Sequence, residues 1–214
     1  MKTFERCIRQ LIWAGIIFLS PFVSQVKAVY LAPGGVLPGT FEPDPTGGTQ
    51  LASQSVPFSY GVLQGTLTSS VISGDPSNPF GTGLTFTYQV AVSALSGDSA
   101  SQISVSSYAG FLTDASYNPI AGGTVVPDFM SRSATPGNVV RFTFLTTPIG
   151  PGLSSALLVV QTDAALWAPT TAGITDGQTV NVSSYAPIAV PEPETCALIV
   201  MGLGLLGFRL RRSK

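Results

Sequence analysis

The chain has 214 residues, 10% of them charged and 44% hydrophobic, with two cysteines and no histidine. A charged share of about 25% is usual for a globular domain, so this protein is sparsely charged. The absence of histidine excludes Ser-His-Asp triads, Cys-His dyads and His-ligated metals, and the formal net charge of −1 hides an uneven distribution along the chain.

Residues 1–28 hold Lys2, Arg6, Arg9 and Lys27 against the single acid Glu5. Residues 29–190 hold only Arg132 and Arg141 against eight acids: Glu42, Asp44, Asp75, Asp98, Asp114, Asp128, Asp163 and Asp176. Residues 191–214 turn basic again through Arg209, Arg211, Arg212 and Lys214. A basic patch for nucleic acid cannot be built from two arginines, so no nucleic-acid partner is expected. Cys7 and Cys196 lie in the two terminal segments. The body therefore has no disulfide, thiol nucleophile or Cys-based zinc set, and no metal or cofactor is expected in it.

Lys2, Arg6 and Arg9 precede the apolar run Leu11–Leu19, after which Ser20-Pro21 breaks the helix and Val26-Lys27-Ala28 offers short residues for cleavage. This layout predicts a signal-peptide helix over 1–28, cut after Ala28. The alternative, a permanent anchor, asks for about 20 apolar residues, and nine span only about 14 Å.

Residues 29–57 are rich in Pro and Gly and read as an extended, poorly packed arm. From residue 58 to 189 the pattern predicts an all-β domain. In Leu84–Ala94, Leu84, Phe86, Tyr88, Val90 and Val92 face one way, and Thr85, Thr87, Gln89, Ala91 and Ser93 form a wet face. Weaker runs lie at Val62–Ile72, Gln102–Ser106, Gly123–Val126, Val139–Thr146, Ala156–Thr162 and Thr179–Ser183, separated by turn clusters. Short strands at regular spacing imply an antiparallel β-sandwich. Arg141 falls inside a strand on this reading, and Arg132 falls beside a loop open to proteolysis.

The segment 190–214 has three parts: Pro191-Glu192-Pro193, an apolar run from Cys196 to Phe208, and the basic tail Arg209, Arg211, Arg212 and Lys214. The basic residues set a cytoplasmic end by the positive-inside rule. The run spans about 20 Å, short of a roughly 30 Å hydrocarbon core. It reads as a short, marginal transmembrane helix, suited to transient holding. Pro191 and Pro193 keep the preceding chain extended, as a protease substrate needs.

This three-part tail resembles the PEP-CTERM sorting signal, which exosortases process. Gly83–Val90 and Val160–Ala164 also resemble segments of exported proteins bearing that signal. The resemblance implies export across the inner membrane, transient anchoring, an exosortase-type membrane protease as partner, and delivery to the cell surface or extracellular matrix. Association with exopolysaccharide or a biofilm is implied by the resemblance alone.

The carboxylates sit mostly in turn contexts, so the body is expected to be non-enzymatic. Asp75-Pro-Ser-Asn78 and Asp114-Ala-Ser-Tyr-Asn118 carry the oxygen donors calcium uses, without the dense spacing of a known calcium loop. They read first as turn structure. Trp167 is the aromatic residue that would contact a glycan if the body were a carbohydrate-binding module; core packing is the other reading of the same residue.

Overall fold

The computed structural model describes residues 30–41, 45 and 47–189. The expected signal-peptide helix with Ala28, and the sorting tail with Pro191, Glu192, Pro193, Arg209, Arg211, Arg212 and Lys214, lie outside the described residues. Among those described, eleven strands follow in order: β1 (Val36–Pro38), β2 (Thr49–Tyr60), β3 (Leu63–Ser73), β4 (Thr85–Val92), β5 (Gln102–Val105), β6 (Thr113–Asn118), β7 (Phe129–Arg132), β8 (Val140–Thr143), β9 (Leu157–Thr162), β10 (Leu166–Asp176) and β11 (Gln178–Ile188). No helix among these residues is long and apolar enough to cross a membrane.

The strands make two antiparallel sheets, an arrangement consistent with a β-sandwich. One has the order β1-β7-β8-β5-β10-β11 and the other β2-β3-β4-β9-β6. Both feed one buried cluster. Leu67, Val71, Phe86, Val90, Leu158 and Val160 come from the five-stranded sheet, and Ile103, Met130, Val140, Phe142 and Ile174 from the six-stranded one. Burying each such side chain stabilises by about 1.5–3 kcal/mol.

The predicted inward face of β4 holds, with Phe86, Tyr88 and Val90 fully buried. Its opposite face is not wet along its whole length. Thr85 and Thr87 are buried; the β3–β4 loop folds over Thr85, whose hydroxyl donates to Asp75 Oδ2 at 2.6 Å. Gly123–Val126 makes no strand, only an isolated bridge between Val125 and Ser155.

The region expected as a poorly packed arm is largely incorporated. β1 pairs with β7, and β2 pairs with β3 from Thr49 to Tyr60. Serines and Pro57 hide the alternation of β2, because its inward set is only Ala52, Gln54, Val56 and Phe58. Pro57 is tolerated because β2 is an edge strand and its missing N–H breaks no ladder. Pro169 is accommodated similarly, in the part of β10 that β5 does not reach.

Arg132 is not beside an open loop. It lies in β7, buried, and its guanidinium donates to four backbone carbonyls: Gly137 at 2.8 Å, Leu31 at 3.2 Å, Tyr108 at 2.5 Å and Phe111 at 2.9 Å. Arg141 sits in β8 as expected and is half-buried.

Candidate functional site

The described chain begins and ends at one pole of the body. Leu31 N donates to Thr113 O at 2.8 Å, and Tyr30 bridges to Asp114 at the start of β6. Thr113 pairs with Thr162, the last residue of β9, while Ile188, the last residue of β11, pairs with Leu166, the first of β10. Only residues 163–165 separate Thr162 from Leu166. Leu31 and Ile188 thus lie on either side of the β9–β10 connection. Arg132 ties the same pole through Leu31, Tyr108 and Phe111.

The exit is short. Ala189 and Val190 alone separate Ile188 from Pro191. Covalent geometry keeps Pro191 within about 11 Å of Ile188. The expected sorting motif therefore begins almost at the rim of an edge strand.

Trp167 lies on β10 near that exit. It is half-buried, packs against the core, and stands edge-on to Tyr185 with ring centroids 5.0 Å apart and an interplanar angle of 81°. That geometry is favourable for an aromatic pair. Part of the indole remains open to solvent.

The two oxygen-rich fragments seen in the sequence come together in space. Asp75 Oδ1 accepts from Ser77 N at 2.9 Å and Ser77 Oγ at 2.7 Å, and Asp75 Oδ2 accepts from Gln161 Nε2 at 3.1 Å. Gln161 is the register partner of Asp114 on β6. Asp114 is 2% exposed, and burial pushes its carboxyl up to about 6 against the opposing hydrogen bond from the Ala115 backbone. Gln161 is the residue the sequence did not flag. Its only signal is a lone polar side chain closing the apolar run Leu157–Val160.

Asn78, in the first fragment, is a turn residue: its amide donates to Gly83 O at 2.9 Å and Thr162 O at 3.1 Å. A second carboxyl pair, Asp98 on a loop and Asp176 at the end of β10, meets at the opposite pole. Partial desolvation raises Asp176 first, and its hydrogen bond to Asp98 adds to that.

The two body segments that resemble exported sorting-signal proteins are neighbours. β4 pairs with β9 from Thr85 to Tyr88, and Leu84 N donates to Ala164 O at 2.9 Å. Gly83 is required there, because a Cβ would run into the Thr162 carbonyl.

No curated protein and no solved structure matches the chain. Residues 189–213 match the family model described as the PEP-CTERM protein-sorting motif. The match starts at the last described residue, immediately after β11. The chain thus carries a PEP-CTERM protein-sorting motif joined directly to the closing strand of an all-β body.

Proposed function

We propose that this is a non-enzymatic exported protein of the cell surface or extracellular matrix, released from a transient membrane anchor by an exosortase-type protease. A PEP-CTERM motif implies export and sorting by an exosortase. The observation that carries the reading is the motif match over residues 189–213. Its position supports it: the motif follows the last strand within two residues, at the pole where the described residues also begin. In this reading a signal peptide ending at Ala28 starts export, and Cys196–Phe208 holds the chain in the inner membrane. The basic residues Arg209, Arg211, Arg212 and Lys214 fix the cytoplasmic side. Cleavage near Pro191-Glu192-Pro193 then frees the acidic body.

Association with exopolysaccharide in a biofilm is the setting this reading favours. The body's low charge and Ser/Thr-rich strand faces suit a crowded, hydrated matrix. A carbohydrate-binding module is the second reading, favoured by the solvent-open part of Trp167 beside Tyr185. Loss of glycan-array binding in Trp167→Ala, with the melting temperature retained, would support it.

The sorting reading is tested by replacing Pro191, Glu192 and Pro193 with alanine in a host with active exosortase. The expected result is an uncut, inner-membrane-bound protein, while the unaltered chain is recovered with a new C-terminus by mass spectrometry. Released protein still ending in Lys214 would overturn it.

A further inference from the structure

Gln161 on β9 stands between two buried carboxyl groups. Its amide donates to Asp75 Oδ2 at 3.1 Å and to Ser77 Oγ at 2.8 Å. On the other side its register partner is Asp114 of β6. Directly opposed residues share one face of a sheet with Cβ atoms about 5 Å apart. Ser116, two residues along β6, lies on that face as well. Asp75, Asp114, Ser116 and Gln161 are each no more than 2% exposed.

Three oxygens in this group have no hydrogen-bond partner: Asp114 Oδ2, Ser116 Oγ and Gln161 Oε1. Buried oxygens left unpaired are costly, and three on adjacent positions of one face are unusual. The Gln161 amide is committed to Asp75 and Ser77, and the Ser116 hydroxyl, the remaining donor of the group, makes no hydrogen bond to either acceptor. Asp114 Oδ2 and Gln161 Oε1 cannot satisfy each other, since a carboxylate and an amide oxygen only accept.

Charge compensation from the protein is also missing. Residues 29–190 contain no Lys and only two Arg. Arg132 spends its guanidinium on backbone carbonyls, and Arg141 lies in β8 of the other sheet.

We infer that Asp114, Ser116 and Gln161 hold a calcium ion, with Asp75 as the neighbouring buried carboxylate that adds negative charge to the site. The donors are all oxygen, which selects a hard cation. Calcium accepts irregular sets of carboxylate, amide and hydroxyl oxygens, whereas magnesium requires a near-ideal octahedron and keeps its waters. A sodium ion would carry half the charge. A water molecule could bridge the three oxygens but would leave the carboxylate charge uncompensated. The inference departs from the sequence expectation of no metal, and it stands independently of the sorting reading.

The test uses the exported protein, stripped with chelator and then titrated with CaCl2, MgCl2 or NaCl at matched ionic strength. Thermal melting and isothermal titration calorimetry are the readouts. Calcium alone should raise the melting temperature and bind at one site, with a dissociation constant on the order of 10⁻⁴–10⁻³ M, the range of extracellular modules. Asp114→Asn should stay folded and lose the calcium response, and Ser116→Ala should weaken affinity without unfolding. An unaltered chain indifferent to calcium, as a site filled by water alone would give, overturns the inference. So would equal shifts from all three salts, or an Asp114→Asn variant that responds like the parent.

Discussion

The hydroxyls of Tyr88 and Tyr108 meet at 2.7 Å between the two sheets, and Tyr88 passes its own proton on to the carbonyl of Tyr185 on β11, also at 2.7 Å. Both rings are fully buried, and Tyr108 stands edge-on to Phe86 at 6.1 Å. This relay is a polar thread through an apolar core, linking β4, the β5–β6 connection and the last strand.

Tyr88 occupies the middle of the relay, so its loss orphans two groups. Tyr88→Phe should cost about 1–3 kcal/mol, and Tyr108→Phe less, because Tyr88 keeps its bond to Tyr185. Burial pushes both hydroxyls well above the ordinary tyrosine range. Ionisation is thereby resisted in the folded state and free in the unfolded one. Stability from these groups is complete below about pH 10 and is lost as pH rises above it. Ultraviolet titration should show two of the six tyrosines ionising only as the protein unfolds.

Asp114 sets a second pH dependence, of the sign opposite to that of a paired carboxylate. Its folded value of about 6 lies above the ordinary 3.8. Below pH about 4 both states hold the proton. Between there and pH 6 the unfolded state releases it first, so folding loses stability as pH rises. The loss reaches roughly 2–3 kcal/mol by pH 7. In chelator, chemical denaturation should therefore find Asp114→Asn more stable than the parent at pH 7 by an amount that vanishes near pH 4. A constant difference across that range would contradict this account. Groups near Asp114 include Asp75, across Gln161, and Tyr30, its bridge partner.

Arg132 reverses a simple expectation about proteolysis. It should resist trypsin in the native state, since its side chain is buried and fully engaged. Arg141, half-buried in β8, should be the first site cut in the body, and slowly. Arg132→Met should destabilise by at least about 3 kcal/mol, because four carbonyls lose their donor together. Limited proteolysis and urea denaturation provide both readouts.

Trimming tests how much the Pro/Gly-rich segment contributes. A chain of residues 30–189 should melt cooperatively with strong near-ultraviolet dichroism. One beginning at residue 58 lacks β1 and most of β2, leaving β3 as a raw edge with Leu67 and Val71 less covered. It should show a broad, weakly cooperative transition.

How much was legible follows from how each residue earns its place. β4 is plain in the sequence because Phe86, Tyr88, Val90 and Val92 alternate along it, with Leu84 just before it, and all five are buried. β3, β5, β8, β9 and β11 are found with frayed ends. β2 escapes because an edge strand buries little, so serine, threonine and proline suffice along it; β10 escapes because its first half, beyond the reach of β5, pairs only with β11 and is little buried. β6 escapes because its Thr-Asp-Ala-Ser-Tyr-Asn resembles a loop; burial of polar side chains on both faces is a tertiary event with no periodic signature. The sorting motif is legible for the opposite reason. It is read by another protein as local sequence, so all its information is local. The Asp75–Gln161–Asp114 cluster joins Asp75 to a residue 86 positions away; the β3–β4 loop brings Asp75 to Gln161, and the register of β6 on β9 brings Asp114 opposite it.

The short interval between β11 and the apolar run has a consequence for timing. Seven residues, 189–195, separate the last paired position from Cys196, at most about 29 Å of extended chain. During export the N-terminal strands emerge first, and the six-stranded sheet lacks its outermost member until the very end. On the proposed sorting route that member would clear the bilayer just as the apolar run enters it. Completion of the fold and arrest of the chain thus coincide. On that route a finished body on the outer side would be too wide to slide back, so folding itself would act as a ratchet holding Pro191-Glu192-Pro193 in place for the cut.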